Sequence, residues 1–216
     1  MTDLAELRDV EDAETAVYQP AEDSRLLAAV AGEHVAADDR VLEVGTGSGY
    51  VAETVANETG ASVVGSDVNP HACEQARERG IAAVRADLVS PFRDGAFDAV
   101  LFNPPYLPAH EPVDEAANDA PEENHADPPA SDDEDHSVDW MERALSGGES
   151  GRAVIEPFLD AVGPVLTPDG RVFLLVSSLT GVEAVVDRAA ENGFSAVALR
   201  DESFPFETLT VLKLVG

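Results

Sequence analysis

Cysteine occurs once in this 216-residue chain, at Cys73. A lone thiol excludes an internal disulfide framework and any multi-cysteine zinc site, and no metal centre is expected. Lysine also occurs once, at Lys213; 13 basic residues stand against 43 acidic ones, for a formal net charge of −30. With bases so few and so scattered there is no basic footprint of the kind that holds nucleic acid, and no direct nucleic-acid contact is expected. Long hydrophobic runs are missing too. Even the bulky run Val172-Phe173-Leu174-Leu175-Val176 is far too short to span a bilayer. The first residues, Met1 to Glu6, are acidic and lack the apolar stretch of a secretory signal. These absences predict a reduced, cytoplasmic chain with no membrane contact.

What is present suits one domain over residues 1–216, since a chain of this length can bury a core without staples. Apolar residues make up 44 % of it, too many for a disordered polyelectrolyte. One stretch differs. Residues 109–139 hold 12 acidic side chains, four prolines and no Lys or Arg, and only Val113 and Val138 are aliphatics larger than Ala. Such a composition cannot bury a core, so a solvated, flexible insertion is expected there. It carries His110, His125 and His136, whose irregular spacing reads as solvated loop histidines rather than metal ligands. Without this segment the rest still carries −30 + 12 = −18.

Elsewhere short aliphatic runs alternate with helical patterns. Strands are predicted at 40–44, 62–66, 81–84, 97–102, 171–176, 194–199 and 208–214, with helices near 50–57, 70–79, 154–165 and 181–191. Pro168-Asp169-Gly170 reads as a turn. Repeated β-α alternation implies an α/β three-layer sandwich with a mostly parallel sheet. Its last two strands, with no helix between them, imply one antiparallel strand. Ligands of such sheets bind at the carboxyl ends of the strands.

Four motifs fall at those ends. Glu43-Val44-Gly45-Thr46-Gly47-Ser48-Gly49 follows the first strand, and glycines there let a ligand approach backbone N–H groups at a helix start. The spacing is G-x-G-x-G, not the G-x-G-x-x-G of dinucleotide sites, which disfavours a nicotinamide dehydrogenase. Asp67 ends the second strand, 22 residues after Gly45, where a carboxylate can accept from both hydroxyls of a ribose. Asp87 and Leu88 follow the third strand, where a carboxylate can accept from an adenine amino group while Leu88 packs on the base. Asn103-Pro104-Pro105-Tyr106 ends the fourth. A planar amide or exocyclic amine is a poor nucleophile because its lone pair is delocalised. The Asn103 side-chain oxygen and the Pro104 carbonyl can accept its two N–H groups and favour pyramidalisation, while Pro104 and Pro105 stiffen the loop and Tyr106 faces the planar group.

Together, E-x-G-x-G-x-G, Asp67, Asp87-Leu88 and N-P-P-Y resemble the class I S-adenosylmethionine-dependent methyltransferases that modify nitrogen, whose Rossmann-like sheet has seven strands. More narrowly the chain resembles the HemK-type protein glutamine methyltransferases of archaea and eukaryotes. Three further segments carry that likeness: Val17-Tyr18-Gln19-Pro20-Ala21-Glu22-Asp23-Ser24, Ser146-Gly147-Gly148-Glu149-Ser150-Gly151, and Glu207-Thr208-Leu209-Thr210-Val211-Leu212-Lys213. The likeness runs from about residue 17 to the C-terminus, the acidic insertion excepted.

The resemblance implies methylation of the glutamine side chain in the Gly-Gly-Gln loop of an archaeal translation release factor. It implies S-adenosylmethionine contacts from Ser24, from Glu43 and Gly45 at the methionine end, from Gly47 and Gly49 in the turn, from Asp67 at the ribose, from Asp87 and Leu88 at the adenine, and from Asn103. It also implies a small zinc-binding activator subunit. An uncharged edge strand, Ile81-Ala82-Ala83-Val84, is where a partner could add a strand. The acid-rich, lysine-poor composition resembles proteins of halophilic archaea, in which salt near 1 M cuts the Debye length to about 3 Å. A nucleic-acid amine methyltransferase of the N-P-P-Y type is the alternative, with protein-lysine methylation behind it.

Overall fold

The computed structural model describes residues 16–108 and 140–216; the histidines and acids of 109–139 lie outside the described residues. Helix α1 (Glu22–His34) comes first, then strand β1 (Arg40–Val44), α2 (Tyr50–Thr59), β2 (Ser62–Asp67), α3 (Pro70–Glu78), β3 (Ala82–Arg85) and β4 (Phe97–Phe102). Beyond the undescribed segment follow α4 (Trp140–Leu145), α5 (Ile155–Val162), β5 (Leu166–Ser177), α6 (Val182–Glu191), β6 (Ser195–Ser203) and β7 (Thr208–Val215). The seven strands form one sheet in the order β3-β2-β1-β4-β5-β7-β6. Strands β1 to β5 pair in parallel, and β7 runs antiparallel to both β5 and β6. The expected sandwich with a single reversed strand is what the chain forms.

Strand alternation divides the core. Val41, Ala99, Leu101, Phe173 and Leu175 pack under α1, α2 and α3. Leu42, Val100, Phe102, Val172 and Leu174 pack on the other face against Ile155, Phe158 and Leu159 of α5 and Val185 of α6. All of these side chains are fully buried, so the central strands are apolar on both faces, as a helix-covered parallel sheet requires.

Besides the short α4, which was not predicted, the structure departs from the expected elements in three places. The Pro168-Asp169-Gly170 turn lies inside β5, which starts at Leu166. Two steps along β4, from Phe97 to Ala99, match five along β5, from Leu166 to Arg171, so the turn chemistry makes a bulge within a strand. Gly170 suits it, because a Cβ there would sit 2.8 Å from the Thr167 carbonyl oxygen. The third strand is shifted to Ala82–Arg85; the Ile81 N–H is spent on Ala76 of the preceding helix, so Ile81 is a buried linker and not an edge residue. Helix α1, whose buried Leu26, Leu27, Val30 and Ala31 recur at helical spacing, was not among the predicted helices.

Candidate active site

At the carboxyl end of β1 the chain turns sharply. Gly45, Gly47 and Gly49 hold positive φ angles of 62°, 52° and 81°. Gly49 serves packing as well: a Cβ there would lie 2.8 Å from the Ala76 Cα, so glycine lets α2 begin against α3. The Gly47 N–H donates to Asp67 Oδ2 at 2.9 Å, and the Asn69 N–H donates to Oδ1 at 2.9 Å. Burial pushes the Asp67 carboxyl above its ordinary range, and these backbone donors pull against it. Glu43, on β1, is 3 % exposed and accepts the Thr46 hydroxyl and the Ala52 N–H (3.1 Å) on one oxygen. Burial raises its pKa from 4.5 to about 8.

Beyond β3, Asp87 is exposed at the cavity wall and Leu88 is half-buried. Leu88 has φ +50°, the sole non-glycine residue with positive φ among the described residues. A left-handed leucine is strained, and strain of this kind collects where a backbone must present a side chain to a ligand.

The end of β4 carries the most informative atom. The Asn103 Nδ2 donates to Asp23 Oδ2 at 3.1 Å, whereas the Asn103 Oδ1 is buried with no hydrogen-bond partner. A buried amide oxygen left without a donor costs free energy, roughly 1–3 kcal/mol. Asn103 lines the cavity, and a donor on a ligand there could satisfy this oxygen. Next to it, Tyr106 hydrogen-bonds Glu207, and Tyr18 hydrogen-bonds Asp23. Burial raises both phenols, with the neighbouring carboxylates adding to it; Tyr18 reaches about 12 and Tyr106 stands well above the ordinary tyrosine range. Both phenols therefore stay protonated as donors throughout the neutral range. The Ser177 hydroxyl also donates to Glu207.

The loop Ser146–Gly151 backs this constellation. The Gly147 N–H donates to the Leu107 carbonyl at 2.8 Å, and the Leu107 N–H to Leu145 at 3.0 Å. A Cβ on Gly151 would lie 2.6 Å from the Tyr106 carbonyl oxygen, and one on Gly147 2.7 Å from the Gly151 Cα. Glycines there let one loop seat directly against another.

One cavity of about 550 Å³ gathers these groups. That volume suits a ligand of cofactor size. Ser24, Glu43, Gly45, Gly47, Asp67, Asp87, Leu88, Asn103, Pro104, Pro105 and Tyr106 all line it. Gly49 stands behind the wall, packed on Ala76, and Ala82, Ala83 and Val84 lie away from it on β3. Tyr18, Asp23 and Glu207 line the cavity as well but were not singled out, although each sits inside a motif quoted for other residues. Trp140 and Arg143 of α4 complete the wall; Arg143 lowers the Asp67 pKa, and nothing in the acidic stretch before them signals their place. Among the described residues no helix is long and apolar enough to cross a membrane.

A family model described as a methyltransferase domain matches residues 41–118. A candidate protein N5-glutamine methyltransferase of Methanocaldococcus jannaschii is 32% identical over 203 residues, covering 91% of this chain and 90% of the other. Human methyltransferase HEMK2 is 29% identical over 211 residues, covering 91% of this chain and 88% of its own. Among solved structures, the E. cuniculi Mtq2–Trm112 complex, described as responsible for methylating the termination factor eRF1, superposes with a TM-score of 0.68 at 28% identity, covering 93% of this chain and 98% of that one. Likeness of this extent, over nearly the whole of both chains, means that the chain belongs to the HemK-type protein N5-glutamine methyltransferases.

Proposed function

We propose that this chain transfers a methyl group from S-adenosylmethionine to the side-chain amide nitrogen of the glutamine in the Gly-Gly-Gln loop of a translation release factor. The observation that carries the reading is Asn103, whose Nδ2 is held by Asp23 while its buried Oδ1 lacks a donor. A primary amide N–H supplies that donor. The Pro104 carbonyl accepts the second N–H, so the reacting nitrogen is held and its delocalisation weakened. Bound S-adenosylmethionine supplies an electrophilic methyl group on a sulfonium. Asp67 would accept from the ribose hydroxyls, Asp87 and Leu88 would flank the adenine, Ser24 and Gly47 would add contacts from the cavity wall, and Glu43 and Gly45 would meet the methionine end. The tightly seated 146–151 loop and the proline pair limit motion of Tyr106, which covers the amide. Catalysis of this kind is positioning and charge complementarity, with no base needed to start attack.

The similar eRF1-methylating protein acts as a complex with Trm112. By that likeness, this chain is the catalytic subunit of a cytoplasmic heterodimer with a small zinc-binding activator. The open edge strand supports the reading: β3 has a neighbour on one side only, and Val84 on it is 38 % exposed. Val84→Lys should weaken co-purification with the activator while leaving the melting temperature within a few degrees; full retention of the complex would remove β3 from the interface.

The substrate is tested with radiolabelled S-adenosylmethionine, the activator and release factor at molar salt. Label should enter wild-type release factor and be lost when the Gly-Gly-Gln glutamine is replaced by Ala. Equal labelling of that variant, or preferential labelling of tRNA, rRNA or DNA, overturns the assignment.

A further inference from the structure

Asp23 is 5 % exposed, second in α1, and among the described residues it forms no ion pair with an arginine or lysine. A buried carboxylate without a cation is expensive to keep and must be held by hydrogen bonds. Its two oxygens are divided. Oδ1 accepts the Ser24 N–H at 2.6 Å and the Ser24 hydroxyl at 3.2 Å, while Oδ2 accepts the Asn103 Nδ2 at 3.1 Å. The Tyr18 phenol adds a further donor. The first turn of α1 contributes the favourable field of a helix start.

The partner across that last bond is the side chain whose other end is the unsatisfied Oδ1. A terminal amide can be turned about its last bond with almost no change in shape, which exchanges its oxygen for its NH2. In one orientation Asn103 offers the substrate amide an acceptor. In the other it offers an N–H against an N–H, which cannot hold the reacting nitrogen. The reversed orientation would also set the Asn103 oxygen against a carboxylate, losing a charge-assisted hydrogen bond and adding repulsion.

We propose that Asp23 is a positioning residue that fixes which end of the Asn103 amide faces the substrate. This rests on the reading of Asn103 as the group that holds the substrate amide. Asp23 reaches the reaction through Asn103, 80 residues away in sequence, and Ser24 and Tyr18 keep its carboxylate aimed. Asp23→Asn replaces a pure acceptor by a second amide that can pair with Asn103 in either orientation, so it removes the selection while keeping the volume.

The test uses the full chain with its activator. In the wild type, side-chain NMR of 15N-asparagine-labelled protein should show one Asn103 NH2 pair, with one proton shifted and slow to exchange because it is bonded to a carboxylate. Asp23→Asn should abolish that signature and lower kcat by roughly tenfold to a hundredfold, the scale of a misplaced reacting group, while the KM for release factor changes by less than about threefold. In an Asn103→Ala background the Asp23→Asn penalty should vanish, since two residues acting through one contact do not contribute independently. An unshifted, freely exchanging amide in the wild type overturns the proposal. So does a full Asp23→Asn penalty in the Asn103→Ala background. The NMR signature needs no substrate, so it stands or fails separately from the release-factor assignment.

Discussion

The two ends of the sheet use carboxylates in opposite ways. At the amino ends of β1, β4 and β5, acids meet guanidinium groups. Asp98 takes Arg40 Nε at 3.0 Å and Nη2 at 3.2 Å, and Asp39 takes Arg171, which also donates to the His34 carbonyl at 2.9 Å. Arg40 accordingly holds the Asp98 carboxyl down to about 2. At the carboxyl ends, Asp23, Glu43 and Asp67 are held by hydroxyls, a side-chain amide and backbone N–H groups, and none has a salt-bridge partner among the described residues. Burial raises Glu43 and Asp67 there. The amino end uses paired charge to stabilise the fold, whereas the carboxyl end holds its acids by hydrogen bonds without cations, and burial there favours the protonated form of Glu43 and Asp67.

The largest expected effect lies at the carboxyl end. Asn103→Ala should lower kcat by about 10²–10³-fold, the usual loss when one group aimed at the reacting atoms is removed. Its melting temperature should stay within a few degrees of the wild type, because an unpaired buried oxygen goes with the amide while Asp23 loses one of its donors. A large loss of stability would make Asn103 a fold residue and break the contrast. Arg171→Ala should do the converse. It strips partners from Asp39 and the Asp98 carbonyl, both in partly buried contacts, and from the exposed His34 carbonyl, and should cost about 2 kcal/mol in urea unfolding. The KM for S-adenosylmethionine should not change.

Smaller effects follow from pH. Glu43 in the folded chain keeps its proton to about pH 8, whereas an unfolded glutamate loses it near 4.5. Folding therefore takes up a proton between those values. The stability this confers is complete below about 4.5 and is lost as pH rises through 8. Thermal unfolding of Glu43→Gln should show a flatter decline across that window, by a few degrees. Identical slopes in both proteins would show that Glu43 is ionised in the folded chain. Asp98 works in the other direction: its stabilisation is present above about 3.8 and falls away toward pH 2. Asp98→Asn should remove that acid limb, and solvent screening keeps the change small.

These contrasts also explain how much could be read from the sequence. Strands β1, β2 and β4 announce themselves because burial on both faces favours adjacent apolar residues, as in Val41-Leu42, Val63-Val64 and Ala99 to Phe102, and their ends mark Gly45, Asp67 and Asn103 directly. Strand β5 hid its start, since Pro168-Asp169-Gly170 has the local chemistry of a turn and only pairing with β4 makes it a bulge. Asp23 hid for a different reason. Its neighbour Ser24 carries the hydroxyl that the motif draws attention to, and the meeting with Asn103 spans 80 residues that no local pattern links. Glu207 is the same case, joined to Tyr106 and Ser177 only once β7 lies beside β5. Local chemistry is legible in one dimension, whereas the supports of a site are tertiary.

The hydrogen bonds between Leu107 and the Leu145–Gly147 segment have a further consequence. They bring together the points where the chain leaves Tyr106 and where it returns to the glycine loop, a closed bracket around everything between. Tyr106 is therefore anchored from two sides, by the end of β4 that leads into it and by the glycine loop seated on its carbonyl. A change in either wall is felt at the same ring.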